Sequence, residues 1–186
     1  MKKASLLTVA LLLLAGLSMA QSVTIDADKK LNTDFSQYKT YAWASQVDSD
    51  LDPGLYFLND LVLKKRIRDA VRFALEGRGY QFNRQSPDLL VNFRVFDKPT
   101  TIKGFTGYGT TYFGTNEVRS PEDATTFDVQ AGSLILNLVD VKTGQVVWRG
   151  LASGLTNTNG FDRDENKIKQ AVTLMFDRYN QRADKH

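Results

Sequence analysis

The chain has 186 residues, with 24 lysines and arginines against 21 aspartates and glutamates, one histidine and no cysteine. The lack of cysteine excludes disulfides, thiolate metal sites, a cysteine nucleophile and a lipid carried on a cysteine. A formal charge of +3 is too small to steer the protein toward nucleic acid.

Lys2 and Lys3 open the chain, residues 6–17 form an apolar run, and Ser18-Met19-Ala20 precedes Gln21. A basic start, a greasy core and a small-x-small site make up a secretory signal peptide, cleaved after Ala20. The run is shorter than the roughly 20 apolar residues a spanning helix needs. Without Lys2 and Lys3 the cationic count falls from 24 to 22 against 21 acids, a formal +1. The expectation is a periplasmic protein with one domain over residues 21–186. A weak membrane association and a place at the outer membrane stay open.

Residues 23–26 alternate Val23 and Ile25 with Thr24 and Asp26, which predicts a short strand. Residues 28–34 are polar and turn-like, and a second strand is expected over 38–43, with Tyr41 and Trp43 on one face. Residues 45–54 form a loop ending in Pro53-Gly54. Leu63, Ile67, Ala70, Val71, Ala74 and Leu75 then recur at three- and four-residue spacing, the stripe of an amphipathic helix. Asn59 or Asp60 can cap it, and Gly77 and Gly79 suit its left-handed exit.

A short strand over 80–84 and a turn at Ser86-Pro87-Asp88 lead into residues 89–96, where Leu89, Val91, Phe93 and Val95 form one strongly buried face. Residues 100–115 are rich in threonine, glycine and tyrosine and read as a projecting hairpin or a loop. One long extended stretch is expected over 125–141, with Gly132 as a bulge, followed by a turn at 142–145 and a return strand from Val146. Residues 157–164 read as a polar loop. Ile168, Ala171, Val172, Met175, Phe176 and Tyr179 make a second helical stripe capped by Asp162 or Asp164, and residues 181–186 are expected to fray.

The stretch Asp34-Phe35-Ser36-Gln37-Tyr38-Lys39-Thr40-Tyr41-Ala42-Trp43 resembles the opening of the DUF4136 family, bacterial cell-envelope proteins of unknown function. The likeness continues at Arg66-Ile67 and Ala70-Val71, at Pro87-Asp88-Leu89-Leu90-Val91, from Gly132 to Asp140, and at Thr143-Gly144 with Val147-Trp148-Arg149-Gly150. It implies an α+β fold: a two-layer α/β sandwich whose twisted, mainly antiparallel or mixed sheet carries two helices on one face. It also implies export to the periplasm or outer membrane, and no catalytic residue. Many relatives carry a cysteine just after the leader; Gln21 stands there in this chain, which argues against a lipid anchor.

The residues themselves offer little chemistry. His186, the only histidine, is the final residue, and a general base must be held within reach of its proton. Asp48, Asp50 and Asp52 alternate as calcium ligands can, but Pro53 stands where the calcium loop needs glycine and Asn59 where it needs glutamate. Asp88, Asp97, Asp128 and Asp140 show no spacing that selects a catalytic pair. Lys64, Lys65, Arg66, Arg68 and Arg72 read as a solvated helix flank rather than a nucleic-acid groove. No cofactor is implied.

Phe105, Tyr108, Tyr112 and Phe113, set among Gly104, Gly107, Gly109 and Gly114, are the surface candidates, because tyrosine on a glycine-rich backbone offers contact area with a polar handle. The reading is therefore a non-catalytic binding or interaction module, its partner an envelope protein or glycan. The alternative is a carrier of a small apolar ligand, which needs a cavity between sheet and helices.

Overall fold

In the computed structural model the described residues are 23–44, 60–105 and 124–185, with the strand ends at 102–105 and 124–127 known by backbone alone. The leader, the loop of Asp48, Asp50 and Asp52, Asn59 and His186 all lie outside them. The strands are β1 (Thr24–Lys29), β2 (Thr40–Trp43), β3 (Gln81–Phe82), β4 (Leu89–Phe96), β5 (Thr100–Phe105), β6 (Ala124–Val129), β7 (Ser133–Asp140), β8 (Val146–Ser153), β9 (Thr156–Asn157) and β10 (Gly160–Phe161). The helices are α1 (Leu61–Glu76) and α2 (Glu165–Tyr179).

Six strands form one mixed sheet in the order β1-β8-β7-β4-β2-β3. All pair antiparallel except β2, which runs parallel to both β4 and β3. Both helices bury their stripes on one face of it. Each of the twelve stripe positions, from Leu63 to Leu75 and from Ile168 to Tyr179, is buried. They meet Leu134, Leu136, Leu138 and Trp148 of the central strands. This is the α+β sandwich expected above.

The helices lie side by side and point the same way, since Asp60 before α1 pairs with Arg163 before α2, and Arg78 after α1 pairs with Asp177 near the end of α2. Both positive dipole ends therefore share one edge of the molecule. Caps answer them there: Asp60 accepts from the Leu63 N–H and Asp164 from the Lys167 N–H, each at 2.9 Å. Gly77 keeps a right-handed backbone, and the left-handed residue of this exit is Gly79, at φ 84°.

Five expectations need correction. Residues 125–141 are two strands, because Gly132, at φ 70°, turns the chain between them. Its N–H donates to the Phe96 carbonyl and its carbonyl accepts from the Leu155 N–H, so it is a turn held on both sides and no bulge. The irregularity of pairing falls instead between Leu138 and Val139. Residues 157–164 carry the small β9–β10 hairpin and bury Phe161 and Asp162. The tail does not fray through 183: the Ala183 N–H donates to the Arg78 carbonyl at 2.8 Å and its carbonyl accepts from Lys39 Nζ at 2.6 Å. Finally, β4 is buried on both faces over Leu89–Asn92, where one buried face was expected, and the strand over 80–84 shrinks to Gln81–Phe82.

Candidate functional site

The surface candidates belong to the segment between β5 and β6. These two strands form a ladder of their own, from Thr100 opposite Val129 to Phe105 opposite Ala124, outside the six-stranded sheet. In register Thr100 stands opposite Val129, Thr101 opposite Asp128 and Ile102 opposite Phe127, and β-branched and aromatic residues, which dominate both strands, favour extended chain. Pro99 precedes the ribbon and has no N–H to offer a ladder. Across the strands Thr101 Oγ1 donates to the Asp128 carboxylate at 2.9 Å. Phe105 ends β5; Tyr108, Tyr112 and Phe113 lie outside the described residues.

The ribbon is rooted on the sheet face opposite the helices. Val129 packs there with Phe96 and Ile135 and against Leu151, while the Arg94 guanidinium sits over the Phe96 ring at 5.0 Å. A second apolar patch, Ala42, Ala44, Leu90 and Val139, occupies another part of this face. A polar row also crosses it: Arg149 Nε donates to Asn137 Oδ1 at 3.0 Å, and Asn137 Nδ2 donates to Asn92 Oδ1 at 2.8 Å. Both asparagines are buried, so the row is a satisfied network of the kind that fixes strand register. Asn92 and Asn137 each interrupt an apolar strand, a visible signal in the sequence, but only the pairing of β4 with β7 puts them opposite each other.

Three of the four acids named as possible catalysts, Asp88, Asp128 and Asp140, are held in structural bonds. Asp140 accepts from the Tyr38 hydroxyl at 2.7 Å and from the Thr143 N–H at 2.9 Å. Burial and then this carboxylate push the Tyr38 phenol well above its ordinary value. Asp88 accepts from the N–H groups of Lys39 and Thr40 and from the Thr40 hydroxyl, each at 2.9 Å. Burial raises the Asp88 pKa, but these three donors outweigh it and hold the carboxyl below the usual range. Asp128 is engaged with Thr101, as above. Among the described residues no three His, Cys, Asp or Glu side chains gather to hold a metal.

The carrier alternative fails where it needs room. Trp148 lies 5.1 Å from the Phe176 ring and 5.2 Å from Tyr179. A Cβ on Gly150 would stand 2.6 Å from Trp148 and 3.0 Å from Met175 Sδ. Around Trp148 and Gly150 the layer between sheet and helices is therefore filled with side chains. A cleft of about 390 Å³ does run along the outer side of the helix pair. Its charges cancel: Asp69 pairs with Lys65 at 2.5 Å and Arg72 at 3.0 Å, and Arg66 faces Glu165 at 4.0 Å. Lys169 covers the Phe73 ring at 4.2 Å.

The DUF4136 family model, described as a domain of unknown function, matches residues 23–179. The chain belongs to the DUF4136 family. A solved DUF4136 family protein from Bacteroides thetaiotaomicron is 18% identical, with a TM-score of 0.54 over 84% of this chain and 95% of that one. A PDZ domain protein from Parabacteroides distasonis is 16% identical, with a TM-score of 0.52 over 86% of this chain. This chain spans only 36% of that protein's length. At these identities the likeness is one of fold. No curated protein matches the chain.

Proposed function

We propose that this DUF4136 protein is an exported, non-catalytic interaction module of the cell envelope. The leader is removed after Ala20 and the remainder works in the periplasm, without a lipid anchor, since Gln21 takes the place of a lipid-bearing cysteine. The contact segment is the β5–β6 ribbon with Phe105, Tyr108, Tyr112 and Phe113, and its partner is an envelope protein or glycan. One observation supports this reading above others: among the described residues the ribbon's two strands pair only with each other and root on the sheet through Val129, while the helix-covered core is built from other residues. Tyrosine and phenylalanine on a glycine-rich backbone offer the contact area that a recognition surface uses.

The test is recovery of partners from an envelope extract by the protein and by a variant with Phe105, Tyr108, Tyr112 and Phe113 all changed to alanine. The variant should fold with an unchanged melting curve and lose the captured species. Equal recovery by both proteins would overturn the ribbon assignment. Export is tested separately, by the amino terminus of protein taken from the periplasm: it should begin at Gln21, and protein recovered from the cytosol with Met1 in place overturns it.

A further inference from the structure

A second surface lies away from the ribbon, where β1 turns toward the 3-10 helix Phe35–Gln37 beside the last turn of α2. An open groove of about 620 Å³ there is lined by Lys29, Lys30, Leu31 and the following turn on one side and by Arg178 and Gln181 on the other. Leu31 is 75% exposed, more than a solvent-facing turn needs of a leucine. Leu174, one helical turn before Arg178 and on its side of α2, is 41% exposed.

The charges of the groove are unevenly used. Its acids are engaged: Asp34 accepts from the N–H and hydroxyl of Ser36, at 3.0 and 2.6 Å, and Asp28 has an interaction of its own. Asp177, the neighbour of Arg178, is taken by Arg78 at 2.9 Å. Lys30 donates to the Gln145 side chain. The side chains of Lys29 and Arg178, both exposed, have no hydrogen bond or ion pair among the described residues. Two idle cations thus face one opening whose rim carries an idle aliphatic side chain.

We infer that this groove seats the protein on a bilayer surface of anionic phospholipid. A headgroup phosphate enters between Lys29 and Arg178, and Leu31 dips into the acyl boundary. The match is one of charge and polarity together: cations meet phosphates at the depth of the headgroups, and an aliphatic side chain beside them meets hydrocarbon. A soluble acidic partner would use the cations but leave Leu31 in water. The contact is weak and reversible, since a few cations and one leucine fall far short of an anchor. It does not rest on the ribbon reading, because no ribbon residue enters it.

The test is co-sedimentation of the purified protein with vesicles of phosphatidylethanolamine and phosphatidylglycerol, and with vesicles of phosphatidylcholine alone. The protein should sediment with the first and remain soluble with the second, and raised salt should release it. Lys29→Glu with Arg178→Glu should weaken binding at least about tenfold, on the order of fivefold for each cation lost. Leu31→Ser should weaken it as well. Lys98→Glu with Lys185→Glu makes the same change in net charge at exposed sites elsewhere and should bind like the parent. All the changed residues are exposed, so circular dichroism should report one fold throughout. Equal binding to both vesicle types, or equal loss in the two charge-reversed variants, overturns the proposal.

Discussion

Gly132 and Gly150 are both glycine for want of space, but the space is taken by different things. At Gly150 an added Cβ would meet the rim of Trp148 and the sulfur of Met175. Those are side chains, and Met can adapt, so Gly150→Ala should cost the roughly 1–3 kcal/mol of an overpacked core. At Gly132 the Thr156 methyl stands nearest and backbone lies just behind it, with the Leu155 carbonyl oxygen 2.6 Å from the added atom. The left-handed φ of 70° adds a penalty of about 1–2 kcal/mol for any residue with a Cβ. Gly132→Ala should therefore lower the urea midpoint more than Gly150→Ala does. The reverse order would mean that the turn at Gly132 can relax, and that β6 and β7 are less firmly divided than described.

Among the elements, the helices were legible and the sheet only partly so. A stripe at 3.6-residue spacing is local information, so Leu63 to Leu75 and Ile168 to Tyr179 could be read before any neighbour was known. Strands announce their faces by alternation but not their partners. Nothing near Thr40 says that β2 runs parallel between β4 and β3, and nothing near Ala183 says that its partners are Arg78 and Lys39. Phe161 looked like part of a polar loop for the same reason: the core it joins is built from distant residues. Of the candidate site, only the ribbon's two strands fall among the described residues, and their separation from the main sheet rests on the turn at Gly132. The caps test how much the shared helix edge matters. Asp164→Ala should cost about 1 kcal/mol, the usual loss of an N-cap, with Asp164→Asn close to the parent. Asp60→Ala should cost more, because Asp60 also holds Arg163 at 2.6 Å and so ties α1 to the start of α2. Urea midpoints of the four variants Asp60→Ala, Asp60→Asn, Asp164→Ala and Asp164→Asn would decide this. If Asp60→Ala and Asp164→Ala were equal, the Asp60–Arg163 pair would contribute nothing, as many exposed ion pairs do.

For the whole molecule, with no cysteine and hence no crosslink, stability against pH depends on groups that join distant parts of the chain. Asp60 is held below its usual range by the Arg163 side chain and the Leu63 N–H, and Asp162 by Lys167 and the Asp164 N–H. Asp88, which fastens the start of β2 to the turn before β4, is held low by its three donors against the effect of burial. In each case the folded chain keeps the carboxylate charged to a lower pH than the unfolded chain, whose aspartates titrate near 3.9. Above that value both states are ionised and the full stabilisation is present. As pH falls below it the unfolded chain takes up protons first, and stability drops until the folded carboxyls also titrate. The alkaline side has the opposite cause: burial raises the phenols of Tyr38, Tyr41, Tyr80 and Tyr179, so above about pH 10 the unfolded chain loses protons first and stability drops again. Melting temperature should thus fall below about pH 4 and above about pH 10. Asp88→Asn removes one of the acid-side groups while keeping an acceptor for the Lys39 and Thr40 donors. It should be less stable than the parent at neutral pH and lose less on acidification, so that the two curves converge near pH 3. Parallel curves for parent and variant would show that Asp88 titrates alike in both states, and that β2 is fastened to β4 by the ladder alone.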